Sequence, residues 1–196
     1  MTKTEVYNNI KYNENLVRQY QRTISSLQSK ISNLNSQING WNNQISSYNS
    51  RRKQLQSQIS ELIKLKSKYK TLQDNFAGEQ SSRSNKLTLN FAQRANAFKF
   101  LSSYVSGMRS LLTGREYKSA YNGLSTAMET IAKKIKTIQS EIDTIARNIS
   151  NLQSRINANQ NEIRTTQSKI NQTNRDLAYR KQRIVYWRNQ LRFATD

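Results

Sequence analysis

The sequence contains no cysteine, no histidine and no proline among its 196 residues. Without cysteine there is no disulfide framework, no thiol nucleophile and no cysteine-based zinc or iron–sulfur site. Without histidine, the residue that most often shuttles protons and binds metals is missing. Because proline is excluded from helix interiors and frequent in loops, its absence is typical of long uninterrupted helices.

Apolar residues are also scarce, at 35% of the chain, against roughly 45–50% in ordinary globular domains. So few apolar residues are enough to fill the narrow contact between paired helices, but not a wide hydrophobic core. No apolar run approaches the roughly 18 residues that a membrane-spanning helix needs. The first residues also lack the apolar stretch of a secretory signal. We therefore expect synthesis in the cytoplasm, and any export to use a route without a cleaved signal peptide.

A heptad pattern runs through the first part of the chain, which we call the first arm (1–76). A period of 3.5 residues sustained over this length predicts a left-handed coiled coil. From Val17 to Leu62 only Arg52 interrupts the apolar rows. Position a holds Ile10, Val17, Ile24, Ile31, Ile38, Ile45, Arg52, Ile59 and Lys66, and position d holds Tyr20, Leu27, Leu34, Trp41, Tyr48, Leu55, Leu62, Tyr69 and Phe76.

A second heptad pattern occupies the last part of the chain, the second arm (124–196). Its a row is apolar from Met128 to Leu191. Its d row begins with five apolar residues and then becomes polar over four heptads. Those four polar d residues are Asn159, Thr166, Thr173 and Arg180.

The segment between the arms (77–123) contains four of the five glycines. Glycine tolerates turn conformations, so this distribution predicts the place where the chain reverses. Residues 76–86 are predicted to form a loop, and 113–123 a turn that ends at Asn122-Gly123. Between them, apolar residues at helical spacing predict a short amphipathic helix over 87–112.

Two arms of similar length around a turning region predict an all-α fold, a long antiparallel coiled-coil hairpin with a short helical segment at the turn. A parallel homodimer is the alternative, since Ile at a and Leu at d also suit parallel pairs. A parallel homodimer gives no reason why the two arms have similar lengths or why the glycines cluster between them. In the hairpin, opposed residues should have numbers that sum to about 197.

This register predicts a partner-binding face. The polar d residues of the second arm would meet apolar residues of the first arm, leaving an apolar strip without a matched partner. A helix of another protein could cover that strip. Trp41 and Trp187, both at d, either fill the core or anchor a partner. The predicted partner-binding residues are Ile24, Leu27, Ile31, Leu34, Ile38, Trp41 and Trp187.

The net charge of +20 predicts attraction to an anionic partner. Nucleic acid, an anionic surface and an acidic protein all remain open. The charge is spread evenly, with +8 before residue 77, +5 in the centre and +7 after residue 123, so it forms no single basic stripe of the kind that nucleic-acid-binding domains show. The predicted polyanion contacts are Arg51, Arg52, Lys53, Lys133, Lys134, Arg180, Lys181 and Arg183.

No catalytic, cofactor or metal site is predicted. Neither GxxxxGK nor GxGxxG occurs. The closest acidic pair, Glu141 and Asp143, is two residues apart on a predicted helix, so the two carboxylates diverge. The pattern therefore favours a protein that is not an enzyme.

The stretches ELIKLKSKYKTLQDNF (61–76) and GREYKSAYNGLSTAMETIAKKIKTIQSEIDTIARNISNLQSRI (114–156) resemble a family from Gram-positive type VII secretion systems. The family comprises the small α-helical, WXG-like partners of LXG-domain toxins. Where the family has Trp-x-Gly, this chain has Tyr121-Asn122-Gly123. The resemblance implies a helical hairpin that packs on the helical LXG domain of a toxin, or on a sister helical protein, and helps present the toxin for secretion.

Three functions therefore follow from the sequence. The leading hypothesis is a non-enzymatic helical partner or targeting factor of a secreted toxin. The second is a basic coiled coil that binds nucleic acid or another polyanion. The third is a structural spacer or filament component.

Overall fold

Two long helices make up the protein in a computed structural model, which describes residues 1–92, 106–108, 110 and 114–195, with side chains described only up to residue 86 in the first range. Helix α1 spans Lys3–Ala92 and helix α2 spans Arg115–Gln190. A short 3₁₀ turn, Leu191–Phe193, follows α2. The predicted all-α helical hairpin is confirmed.

A capping box begins α1. The Thr2 hydroxyl accepts a hydrogen bond from the Glu5 backbone N–H, and the Glu5 carboxylate accepts one from the Thr2 N–H. This reciprocal pair satisfies donors that a helix leaves unpaired at its start. Thr2 also pairs with Thr195 in an isolated β-bridge, where Lys3 N–H donates to the Thr195 carbonyl at 3.1 Å.

The helices are longer than the sequence predicted. The predicted loop at 76–86 is wrong, because α1 continues through Gly78 to Ala92. The predicted turn at 113–123 is also wrong, because α2 begins at Arg115 and includes Gly123. A glycine inside a helix costs only about 1 kcal/mol, and nearby contacts between the helices, such as Phe76 with Tyr117 and Gln73 with Ser125, offset that cost. Of the predicted central helix, 87–92 belong to α1 and 106–108 and 110 are helical; its other residues lie outside the described part.

The chain divides into two compact units. Unit 1 comprises Met1–Tyr48 with Arg147–Asp196, and unit 2 comprises Asn49–Ala146. Each unit pairs a segment of α1 with a segment of α2. In unit 1 the pairs include Trp41 with Arg155 and Gln37 with Asn159, and in unit 2 Arg51 with Glu141.

The two helices run antiparallel in the predicted register. The residue numbers of contacting pairs sum to 196 for Gln37 with Asn159 and 197 for Thr2 with Thr195, close to the predicted value. Ion pairs lie on the flanks of the seam, where coiled coils carry them. Arg51 and Glu141 both immediately precede a positions, which makes both of them g positions, and they lie 2.9 Å apart.

The two helices contribute unequally to the core. Among the described side chains, the buried apolar residues of α1 are few. They are Val6, Leu34, Ile38 and Leu55. Those of α2 form a nearly continuous row. They are Ile131, Ile138, Ile142, Ile145, Ile149, Leu152, Ile156, Ile170 and Ile184. The wide Tyr and Trp side chains at d in α1 remain half-buried, since one facing helix cannot enclose them.

Candidate partner-binding groove

The residues predicted to bind a partner lie along the seam of unit 1. Six of them belong to α1, and Trp187 belongs to α2. Leu34 and Ile38 are buried, and the other five, Ile24, Leu27, Ile31, Trp41 and Trp187, are half-buried. The strip is therefore covered on one side by α2 and reaches solvent only at its edges. Partner binding by these seven residues stays a prediction.

Two of the four polar d residues of α2 reach side chains of α1, which the sequence did not reveal. Asn159 donates a hydrogen bond to the Gln37 side chain at 3.0 Å. Thr166 is buried, with 4% of its surface exposed. Arg180 donates to Asn13 over 3.4 Å, and its Nε is buried with no hydrogen-bond partner among the described residues. The polar layers are thus accommodated inside the seam.

Both tryptophans lie beside arginines. The Arg155 guanidinium lies 4.9 Å from the centre of the Trp41 ring, and that of Arg183 lies 5.1 Å from the Trp187 ring. Tyr186 contacts Trp187 edge-on at 5.1 Å. Such cation–π and aromatic contacts stabilise half-buried rings.

The predicted polyanion contacts differ in their surroundings. Arg51 pairs with Glu141, and Arg52 occupies a half-buried a position. Arg180 and Arg183 are half-buried beside aromatic rings. The exposed members are Arg51, Lys53, Lys133, Lys134 and Lys181. Lys133 and Lys134 occupy successive heptad positions, so they point to different sides of α2. Binding of a polyanion by the eight residues stays a prediction.

An exposed apolar groove lies instead on one flank of unit 2. Leu65 and Leu72 immediately precede a positions and therefore occupy g. They are 39% and 53% exposed. The register places Ala127 and Ala120, the corresponding g residues of α2, opposite them. In unit 2 this flank is therefore apolar over two heptads, where coiled coils usually carry charges.

The wider end of this groove has a volume of about 620 Å³ and lies beside an aromatic stack. The Phe76 and Tyr117 rings are 4.8 Å apart and nearly parallel. Leu72 and Ala120 complete the apolar part of the wall. The polar rim consists of Asn75, Glu79, Gln80, Arg83 and Glu116.

Gln73 fixes the helix spacing at this end. It is buried, with 4% of its surface exposed. Its side-chain amide donates to the Ser125 hydroxyl at 2.7 Å and to the Tyr121 carbonyl at 3.3 Å. A buried amide that donates to both groups holds the two backbones at a defined distance.

A second cavity on the same flank, which we call the narrower end of the groove, has a volume of about 430 Å³. It is lined by Gln58, Glu61, Leu62, Leu65, Lys134 and Ile138. These residues occupy the same flank, mainly at d and g positions. We call the whole surface the unit 2 groove, defined by Leu62, Leu65, Leu72 and Phe76 of α1 and by Tyr117, Ala120 and Lys134 of α2.

The charges around the groove have both signs. Arg83 lies 3.4 Å from Glu79, one helical turn away, and Lys134 and Glu61 face the narrower end. The opposite flank holds Lys70, whose ammonium donates to Asp74 at 2.6 Å. This hydrogen bond raises the pKa of Lys70 above its ordinary value.

Sequence reasoning missed the groove because it followed only the a and d rows. The signal was present in the g row, where Leu65 and Leu72 occupy positions that usually carry charge in a coiled coil. Ala120 and Ala127 repeat the pattern on α2. Small residues facing leucines leave room for a third helix.

The structure adds two further findings, each for the residues that it describes. No three acidic side chains there gather in a way that could hold a metal ion. Neither helix contains a stretch that is long and apolar enough to cross a membrane. Comparisons with protein-family models, curated proteins and solved structures find nothing that matches the chain.

Proposed function

We propose that the protein is a non-enzymatic helical partner that binds an amphipathic helix of another protein in the unit 2 groove. The observation that carries this proposal is the exposure of Leu65 and Leu72 opposite small alanines. Leu65, Leu72 and Phe76 are separated by seven and four residues. This spacing puts them on one helical face, as in helix-in-groove recognition.

The partner helix should carry acidic residues on its polar face. The chain has a net charge of +20, and complementary charge speeds encounter and selects between partners. The groove walls themselves are mixed in charge, so affinity would come from burial of the leucines and Phe76 against the partner's apolar side chains. The acidic face would then lie toward Arg83 and Lys134, the basic side chains of the groove walls.

The resemblance to the LXG-associated proteins supports a specific partner class. In that family, helical hairpins pack on the helical LXG domain of a toxin. We propose that the partner of this chain is such a domain, or a sister helical protein, and that the chain helps to target it.

Co-expression with the helical domain of an LXG-type toxin from a neighbouring gene tests the proposal. A Leu65→Asp/Leu72→Asp variant places two charges in the groove and leaves the buried seam intact. We expect the parent to co-purify with the toxin domain and this variant to bind at least about tenfold more weakly, because burial of a leucine contributes roughly 1.5–3 kcal/mol.

A matched control is Lys53→Asp/Lys133→Asp, which makes a larger change in charge at exposed positions outside the groove. This variant should retain most of its binding. Equal loss in both variants would show that net charge, and not the groove, determines binding. If the parent does not bind the toxin domain at all, the assignment to this partner class is wrong.

A further inference from the structure

A second exposed surface lies in unit 1, where aromatic rings alternate with arginines. The Arg180 guanidinium lies 5.3 Å from the Tyr179 ring and 6.0 Å from the Tyr12 ring, which belongs to α1. Arg183 lies 4.7 Å from the Tyr186 ring. We call Tyr12, Tyr179, Arg180, Arg183 and Tyr186 the tyrosine–arginine patch.

Three members of this patch share one face of α2. Tyr179, Arg183 and Tyr186 are separated by four and three residues, so they form one stripe. The three tyrosines are about half exposed or more. Further along, Phe193, one heptad beyond Tyr186, is 80% exposed. Exposed aromatic side chains that lie close together often mark a binding site.

The patch lies in the most basic part of unit 1. Residues 1–22 and 175–195 together contain ten Lys and Arg against three Asp and Glu, a net charge of +7. One of the three acids, Glu14, is paired with Arg188 at 2.9 Å. Arginine stays charged at every accessible pH and binds phosphate through its planar fork.

We infer that the tyrosine–arginine patch, with Phe193, binds the surface of a negatively charged lipid membrane. Tyr and Trp side chains prefer the boundary between lipid and water. Lys and Arg near an anionic surface each increase affinity by about fivefold. An exposed Phe side chain can enter the acyl-chain boundary, as in proteins that lie on a membrane.

Single-stranded nucleic acid is the competing ligand, since it also binds basic surfaces with exposed aromatic rings. One observation favours lipid. Arginines already lie over the Tyr179 and Tyr186 rings, whereas bases stack on uncovered ring faces.

Sedimentation with vesicles tests the inference. The parent should bind vesicles of phosphatidylcholine mixed with phosphatidylglycerol, and should not bind vesicles of phosphatidylcholine alone. The test variant is Tyr179→Ser/Tyr186→Ser/Phe193→Ser, which removes three exposed rings and no charge. It should bind at least about tenfold more weakly, because each ring loses apolar burial at the lipid surface. In a Trp41→Phe background, vesicles should shift the emission of Trp187 to shorter wavelength.

The matched control is Ile63→Ser/Leu65→Ser/Leu72→Ser, which removes three exposed apolar side chains from unit 2. It should bind vesicles like the parent. The inference is overturned if the parent does not bind anionic vesicles, if the test variant binds as well as the parent, or if both variants lose the same affinity. Binding of a single-stranded oligothymidine that depends on the three rings, without vesicle binding, would make nucleic acid the ligand.

These experiments do not depend on the proposed partner helix. The control variant for vesicles removes Leu65 and Leu72 from the unit 2 groove, so it should fail to bind the toxin domain while it still binds vesicles. Either surface can therefore fail its own test without affecting the other.

Discussion

Arg51 of α1 and Glu141 of α2 lie 2.9 Å apart, although 90 residues separate them in the sequence. Both occupy g positions, so the ion pair joins the same flank of the two heptads. Lys30 and Glu162 repeat this arrangement in unit 1 at 2.6 Å. On the other flank, Glu14 and Arg188 pair at two e positions. In an antiparallel coiled coil g faces g and e faces e, so the three pairs agree on direction and register.

Charge reversal tests this register. Arg51→Glu should destabilise the protein by about 0.2–1 kcal/mol, since both side chains are nearly half exposed and such pairs are weak. The double variant Arg51→Glu/Glu141→Arg should recover most of the loss. Urea unfolding of the parent, both single variants and the double variant gives the coupling energy. A coupling of zero would contradict the pairing.

Two leucines of α1 should respond differently to truncation. Leu55 is 1% exposed, whereas Leu72 is 53% exposed. We expect Leu55→Ala to cost about 2–5 kcal/mol because it leaves a cavity. The same change at Leu72 should cost no more than about 1 kcal/mol. The midpoints of urea unfolding measure both, and similar losses at the two positions would show that Leu72 is part of the core.

The glycines inside the helices should be replaceable. A methyl group added at Gly78 or Gly123 meets no atom within 4 Å, and both residues lie inside helices. Gly78→Ala and Gly123→Ala should therefore each stabilise the protein by about 0.4–1 kcal/mol, because alanine has less freedom to lose on folding. Thermal unfolding followed by circular dichroism measures this.

Proline at position 78 tests whether α1 is continuous there. Gly78→Pro should destabilise by about 3 kcal/mol if α1 is continuous there. If residues 76–86 were a loop, proline would be tolerated. An unchanged melting temperature in this variant would show that residues 76–86 form a loop, as the sequence predicted.

The buried pair Asn13 and Arg180 should stabilise the protein little. Their hydrogen bond is long, at 3.4 Å, and the Arg180 Nε is buried without a hydrogen-bond partner among the described residues. Arg180→Ala alone should destabilise, since it leaves the Asn13 oxygen unpaired. Asn13→Leu/Arg180→Leu should be at least as stable as the parent, because apolar pairs often replace buried polar pairs without loss. Urea unfolding measures the stability of both variants. A double variant that is less stable than Arg180→Ala would contradict this account.

The fold could be predicted from the sequence because the heptad pattern repeats over many residues, so no single residue decides it. Single interruptions such as Arg52 do not change the period, and the absence of proline leaves each helix uninterrupted. The register followed from the same rows, as Gln37 and Asn159 confirm. Helix ends were predicted less well, because Gly78 and Gly123 look like turn residues when packing against the facing helix is not known.

The exposed surfaces could not be predicted from the a and d rows. The polar d residues suggested an uncovered strip in unit 1, but Asn159 and Arg180 are long enough to reach Gln37 and Asn13 across the seam. The apolar groove depends on the g row, where Leu65 matters only because an alanine lies opposite. The pairing of a leucine with an alanine at g positions can be recognised only once the register is known.

Each surface described above exists only if α1 and α2 of one chain pair with each other. Spin labels attached to a Ser29→Cys/Ser168→Cys variant in unit 1 test this most directly. Both positions are exposed, and the chain has no native cysteine that would also be labelled. When the doubly labelled chain is diluted in excess unlabelled protein, we expect a distance below about 40 Å, since paired helix axes lie about 10 Å apart. A short distance that disappears on dilution, or no short distance at all, would contradict the hairpin.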